Sequence, residues 1–219
     1  MILSESPRIE LIHGDCMDYM KGLDAKAFEL AITDPPYGIG EAKKAGNRPK
    51  VTVKYRSLDW DNDIMPREYF DKLISVSSNQ IVWGANHFIQ QIPYPSSCWI
   101  VWDKVRGEQD FADCELAWTS FKSSVKQFTF AWDGFRQGDM KNKEHRIHPT
   151  QKPVKLYRWL LQNYAKKGDR ILDTHLGSGS SAIAAYEEGF DFVGIEKDRE
   201  YYDGAVKRFR NHIAQTSLF

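Results

Sequence analysis

The sequence predicts an α/β fold, a single domain built on a mostly parallel β-sheet with helices on both faces. Three observations lead there. Short apolar runs bounded by polar or turn residues recur along the chain, several are apolar at consecutive positions, and amphipathic or alanine-rich segments fall between them. A strand covered on both faces loses the in-and-out alternation of a half-exposed one, and strands that alternate with helices imply parallel pairing. The 219 residues hold no long polar linker, which favours one domain.

Taken in order, the expected strands are IELI (9–12), FELAIT (28–33), QIVWG (80–84), CWIVWD (98–103), CELAWTSF (114–121), KQFTFAW (126–132), RILD (170–173) and DFVGI (191–195). The close spacing of the segments at 114–121 and 126–132 predicts a hairpin, hence one antiparallel strand at a sheet edge. PVKLYRWLLQNYAKKG reads as a helix with Pro153 in its first position, Leu156, Leu160 and Tyr164 at four-residue spacing, and a stop at Gly168. SSAIAAYEEG is a short helix of small residues ending at Gly189. A last helix from about Asp198 carries Tyr202, Val206, Phe209 and Ile213 on one stripe.

With 42% hydrophobic and 27% charged residues the composition is that of an ordinary globular protein and excludes disorder. No apolar run approaches the ~18 residues of a membrane span, and MILSESPRIE lacks the basic-then-apolar pattern of a secretory signal, so a cytoplasmic protein is expected. Cys16, Cys98 and Cys114 form no CxxC, which points away from a disulfide framework or a zinc site. Net charge is zero, but residues 41–56 carry six Lys and Arg against one Glu, and residues 57–71 five acids against one Arg. Such blocks are solvated loop unless a nearby site gives the basic one a task.

ILDTHLGSGSSAIAA (171–185) is a strand, a glycine-rich turn and a helix start. In that arrangement backbone amides and a helix N-terminus face a ligand. Gly177, Gly179 and Ala182 satisfy a GxGxxG/A spacing, and Glu196, at the end of the next strand, stands where an acid accepts hydrogen bonds from ribose hydroxyls. A nucleoside-containing cofactor is expected. Only 40 residues follow Gly179, enough for one more strand and helix, so the rest of the sheet comes from upstream. This permuted order disfavours a dehydrogenase.

The early turn DPPY (34–37) leaves the sheet directly after FELAIT. Ligands of open α/β sheets sit outside the carboxyl ends of the strands, so both turns fit one edge. Pro35 and Pro36 fix φ and remove two backbone donors, leaving a rigid turn rich in acceptors. An exocyclic amino group on a nucleobase is a poor nucleophile because its lone pair is delocalised into the ring. Accepting one of its protons on the Asp34 carboxylate and the other on the Pro35 carbonyl redirects that lone pair toward a methyl sulfonium. Tyr37 offers a flat face on which an extruded base can stack.

In that order, DPPYGIG, HPTQKPVKL (148–156) and LDTHLGSGSS resemble the beta group of S-adenosylmethionine-dependent DNA amino-methyltransferases, over most of the chain. The resemblance implies one circularly permuted, Rossmann-like methyltransferase domain over 1–219, with seven strands, one of them antiparallel. It makes Asp34, Pro35, Pro36 and Tyr37 the catalytic pocket. Asp173 and the loop Leu176, Gly177, Ser178, Gly179, Ser180 and Ser181 would hold the methionine end of the cofactor, and Glu196 its ribose. Asp15 would lie near the adenine, and Thr150 and Lys152 before the helix that flanks the cofactor. Cys16, Lys197 and Asp34 itself complete the cofactor candidates. The family usually has Pro-Phe where this chain has Thr174 and His175. The amine can lose its proton after transfer, so a packed or solvent-facing His175, not a general base, is expected.

DNA, gripped as a duplex with one base flipped out, is the implied partner, and the resemblance is compatible with a homodimer and a cognate restriction endonuclease. Candidate DNA-contacting loops span 38–70 and 133–149. Lys43, Lys44, Arg48, Lys50, Lys54, Arg56, Arg136, Lys141, Lys143 and Arg146 would meet phosphates. Asp as the first residue of DPPY favours adenine N6 as the acceptor. Cytosine N4 uses the same geometry, RNA and protein amides serve near relatives of the turn, and a catalytically silent nucleic-acid-binding relative is the reading from another class.

Overall fold

A computed structural model describes residues 1–40, 63–107, 112–132 and 136–216. Its nine strands are β1 (Ile2–Glu5), β2 (Arg8–His13), β3 (Phe28–Thr33), β4 (Ser77–Trp83), β5 (Trp99–Asp103), β6 (Cys114–Thr119), β7 (Lys126–Thr129), β8 (Arg170–Asp173) and β9 (Asp191–Glu196). They form one sheet in the order β1-β2-β9-β8-β3-β4-β6-β5-β7. Five α-helices accompany it among the described residues: α1 (Cys16–Lys21), α2 (Arg67–Val76), α3 (Val154–Tyr164), α4 (Ser180–Glu188) and α5 (Arg199–Thr216). No helix among these residues is long and apolar enough to cross a membrane.

The α/β class and the mostly parallel sheet agree with the sequence. α3, α4 and α5 cover one face, burying Leu156, Leu160, Ile183 and Phe209 against Ile9, Leu30, Ile32, Ile81 and Trp83. On the other face α1 and α2 bury Met20, Tyr69, Phe70 and Leu73 against Phe28, Val82, Leu172 and Val193. A truncation such as Leu160→Ala, at a fully buried position, costs about 2–5 kcal/mol.

The strand count and the hairpin need correction. β6 does not pair with β7: it lies antiparallel between β4 and β5, and β7 adds parallel to the far side of β5. The short connection fixes opposite directions for β6 and β7, but it passes the end of β5 instead of turning back. β5 buries Ile100 and Trp102 in the interior position, whereas β7 exposes Lys126, Gln127 and Thr129, side chains that suit an edge. The second antiparallel strand, β1, caps the other edge on β2. Its four residues hold too little apolar pattern to be read as a strand. α1 and α2 also escape the sequence reading. α3 is shorter than expected, with Pro153 as its N-cap and Ala165 already extended, because Asp169 accepts from the Lys166 N–H at 2.8 Å and turns the chain there.

Candidate active site

Parallel pairing of β3 with β8, Leu30 opposite Ile171 and Ala31 opposite Leu172, sends the DPPY turn and the glycine turn out of the sheet side by side. β9 follows on β8 and β2 on β9, so Glu196 and the Gly14–Asp15 turn reach the same edge. Above these strand ends lies a cavity of about 510 Å³. Asp34 and Gly177, 143 positions apart in the chain, both line it.

Of the cofactor candidates, Asp15, Cys16, Asp34, Thr150, Lys152, Leu176, Gly177, Ser178, Glu196 and Lys197 line this cavity, whereas Asp173, Gly179, Ser180 and Ser181 do not. The four that stand back support the loop from behind. Asp173, fully buried, accepts from Ser181 Oγ at 2.6 Å and from the His175 N–H at 3.0 Å. Burial pushes its carboxyl up to about 7, against those two hydrogen bonds. Gly179, at φ +75°, starts α4 where a Cβ would stand 3.2 Å from Ala205 of α5, so a side chain there is both strained and crowded. Ser180 Oγ accepts from Arg208 Nη1 at 2.8 Å, facing α5. Arg208 also donates to the Ser178 carbonyl at 2.9 Å and to Glu144 Oε2 at 2.6 Å.

On the cavity side, the Gly177 N–H donates to Glu196 Oε2 at 2.8 Å and the Asp198 N–H to Oε1 at 2.8 Å. Burial still raises the Glu196 carboxyl above the usual carboxylate range. Asp15 caps α1 through the Met17 N–H, and the hydrogen bond from Lys197 at 2.9 Å holds its pKa down. Burial pushes the Cys16 thiol up to about 12, so it is inert. His148 stands edge-on to Tyr201, ring centroids 4.2 Å apart, over Gly177; burial lowers its pKa to about 3 and keeps it neutral.

Thr174 and His175, standing in place of Pro-Phe, join a hydroxyl cluster. Thr174 Oγ1 lies 2.7 Å from Thr33 Oγ1 and 2.6 Å from Tyr69 Oη, and His175 Nδ1 lies 3.2 Å from Thr33 Oγ1. These bonds tie the ends of β3 and β8 to α2. His175 is packed on Tyr69 and lines the cavity; burial lowers its pKa to about 4.

At the DPPY turn, Asp34 and Pro36 line the cavity, while Pro35 is buried and the Tyr37 hydroxyl reaches the cavity-lining Asp34. The Tyr37 ring, read from sequence as a platform for a base, stacks on His87 with centroids 5.1 Å apart and lies flat on Gly84. A Cβ on Gly84 would come within 2.0 Å of that ring. Tyr37 donates to Asp34 Oδ1 at 2.5 Å, and Lys152 Nζ donates to Asp34 Oδ2. Lys152 and Lys104 in turn both pair with Glu115 of β6. Burial raises the Asp34 carboxyl, with Lys152 opposing. Burial disfavours the Lys152 ammonium, but Asp34 and Glu115 together outweigh it and raise its pKa. Against the same burial, the two lysines hold Glu115 at about 2. Glu115 and Lys104 are absent from the sequence-based candidates; one acid inside the apolar run CELAWTSF was the available signal.

The basic stretch with Lys43, Lys44, Arg48, Lys50, Lys54 and Arg56 lies outside the described residues. Of the second loop, Arg136, Lys141 and Lys143 are exposed, while Arg146 is half-buried and donates to the Pro149 carbonyl at 2.5 Å.

Known proteins resemble this chain in sequence and in fold. The chain is 21% identical to the type II methyltransferase M.HinfI of Haemophilus influenzae, over 91% of this chain and 68% of the relative. Its fold matches the crystal structure of M1.HpyAVI in complex with SAM, at a TM-score of 0.55 and 18% identity over 91% of this chain and 98% of the other. It also matches the PvuII DNA methyltransferase, which is cytosine-N4-specific, at a TM-score of 0.59 and 12% identity over 95% and 90%. A family model described as DNA methylase matches residues 88–207, more than half of the chain. The chain therefore belongs to the N6/N4 DNA methylase family, the S-adenosylmethionine-dependent amino-methyltransferases of DNA.

Proposed function

We propose that this protein methylates adenine at N6 in duplex DNA, taking the base extruded from the helix. The observation that carries the reading is a largely buried carboxylate, Asp34, at the wall of the cavity that the glycine loop also lines. The residues of this cavity fit S-adenosylmethionine. Its volume of about 510 Å³ is in the range of small-molecule sites, Gly177 lets backbone approach closely, and Glu196 offers a carboxylate to ribose hydroxyls. Bound there, the cofactor supplies an electrophilic methyl group on a sulfonium, which leaves as a neutral thioether while the acceptor nitrogen releases a proton.

The chain's own part is positioning and electrostatics. Asp34 accepts one hydrogen of the amine and the Pro35 carbonyl the other, turning the nitrogen lone pair out of the ring. Asp173, Ser181 and Arg208 hold the glycine loop so that Leu176, Gly177 and Ser178 face the cavity. The loop bearing Arg136, Lys141 and Lys143 runs into His148 and Thr150 on the cavity wall, which supports a role in meeting phosphates near the extruded base. DNA treated with the protein and S-adenosylmethionine, digested and analysed by mass spectrometry, is expected to yield N6-methyldeoxyadenosine. N4-methyldeoxycytidine in its place would overturn the choice of base and leave the enzyme class intact.

A further inference from the structure

Lys152, a cofactor candidate that lines the cavity, is also bound to the DPPY turn. Its side chain is 3% exposed, its Nζ donates to Asp34 Oδ2, and Glu115 Oε2 lies 3.1 Å away on a different strand. Lys104 occupies the other Glu115 oxygen, and Tyr37 occupies Asp34 Oδ1 at 2.5 Å. Both oxygens of the carboxylate thus already receive donors from the chain. An exocyclic amine delivered to Asp34 is another N–H donor and competes with the lysine for Oδ2.

We propose that Lys152 is a positioning residue for methyl transfer, holding Asp34 through Oδ2 and shifting onto Glu115 when the acceptor amine takes that oxygen. The inference rests on the role assigned to Asp34 above. An ammonium stripped of its partner in so buried a place is strongly disfavoured; Glu115, already in contact, removes that penalty. Lys104 keeps Glu115 anionic throughout. The groups facing this exchange are Tyr37 on the turn, Glu115 on β6, Lys104 after β5, Tyr157 on α3, Asp173 at the end of β8 and His148 before α3. Lys152 itself lowers the Asp34 pKa and Glu115 raises it. Removing one or the other therefore moves the ionisation of Asp34 in opposite directions.

Glu115→Gln and Lys152→Met test this in the full chain, by single-turnover transfer to duplex DNA across pH and by calorimetric binding of S-adenosylmethionine. In the isosteric Glu115→Gln the lysine keeps Asp34 as its remaining carboxylate. Its rate is expected to fall at least ~10-fold with cofactor affinity within about twofold of wild type, and its acid limb to move to lower pH. In Lys152→Met the acid limb moves to higher pH. Cofactor affinity weakened ~10-fold in Lys152→Met with an unmoved limb makes Lys152 a cofactor ligand and overturns the proposal. A wild-type rate in Glu115→Gln while Asp34→Ala is inactive overturns the lysine exchange alone. A wild-type rate in Asp34→Ala overturns the Asp34 assignment itself, and the exchange with it.

Discussion

The two halves of the cavity are held in different ways. On the glycine-loop side, order comes from backbone and close packing: Gly177 donating to Glu196, Gly179 seated against Ala205, and Ser181 donating to Asp173. The DPPY side is ordered by charge, with Lys104, Glu115, Lys152, Asp34 and Tyr37 linked across β5, β6, the segment before α3 and the turn after β3. Close packing tolerates no added atom, whereas a largely buried ion chain responds to the loss of any member. A half built by fit suits holding a cofactor, and one built by charge suits acting on an amine.

The largest expected effect separates the halves outright. Asp34→Ala lowers single-turnover transfer on the order of 10³-fold and leaves S-adenosylmethionine affinity close to wild type by calorimetry. Next comes Gly84→Ala, at a residue that does not line the cavity. Its methyl group collides with the Tyr37 ring, which must release Asp34 Oδ1, and transfer slows ~100-fold while cofactor affinity holds. Gly179→Val reverses the split. A β-branched residue at φ +75° against Ala205 distorts the loop, weakening cofactor binding about 10-fold or more in the same titration. Equal loss of binding and rate in Gly84→Ala and Gly179→Val would erase the distinction.

The effect that is smallest at neutral pH is on stability, and it grows as the solution becomes acidic. Burial lowers His175 from 6.5 to about 4 and His148 from 6.5 to about 3. Below pH 6.5 the unfolded chain binds protons that the folded chain refuses, so this contribution is fully present above 6.5 and is lost as pH falls toward those lower values. Asp173, raised to about 7, acts oppositely: folded protein takes up its proton first as pH falls below 7, which adds stability down to about 4. His175→Asn is therefore expected to reduce the acid loss by up to about 3 kcal/mol between pH 6.5 and 4, and Asp173→Asn to steepen it. Denaturant titrations at each pH measure both.

The same contrast explains what could be read from the chain. RILD and SSAIAAYEEG appear in the structure at the residues expected, as does the glycine turn between them, because each is a local pattern of apolar run, turn residue and helix start. Asp34 was legible because two prolines isolate it behind an apolar strand. Glu115, Lys104 and Lys152 were not legible as a unit: their contact depends on β6 inserting between β4 and β5, a pairing that short-range spacing misread as a hairpin with β7. Ser180, Ser181 and Asp173 fell inside the motif, yet motif spacing does not say which side chains face the ligand and which brace the loop. Tyr37 was read as an open face; only the fold brings His87 and Gly84 onto its ring.

Hydrogen exchange with and without S-adenosylmethionine tests most directly that two distant turns form one site. The account predicts joint protection of the amides at Asp34, Tyr37 and Gly38 and of those from Thr174 to Ser178. Protection confined to the glycine turn, with the amides around Asp34 exchanging as before, would contradict it.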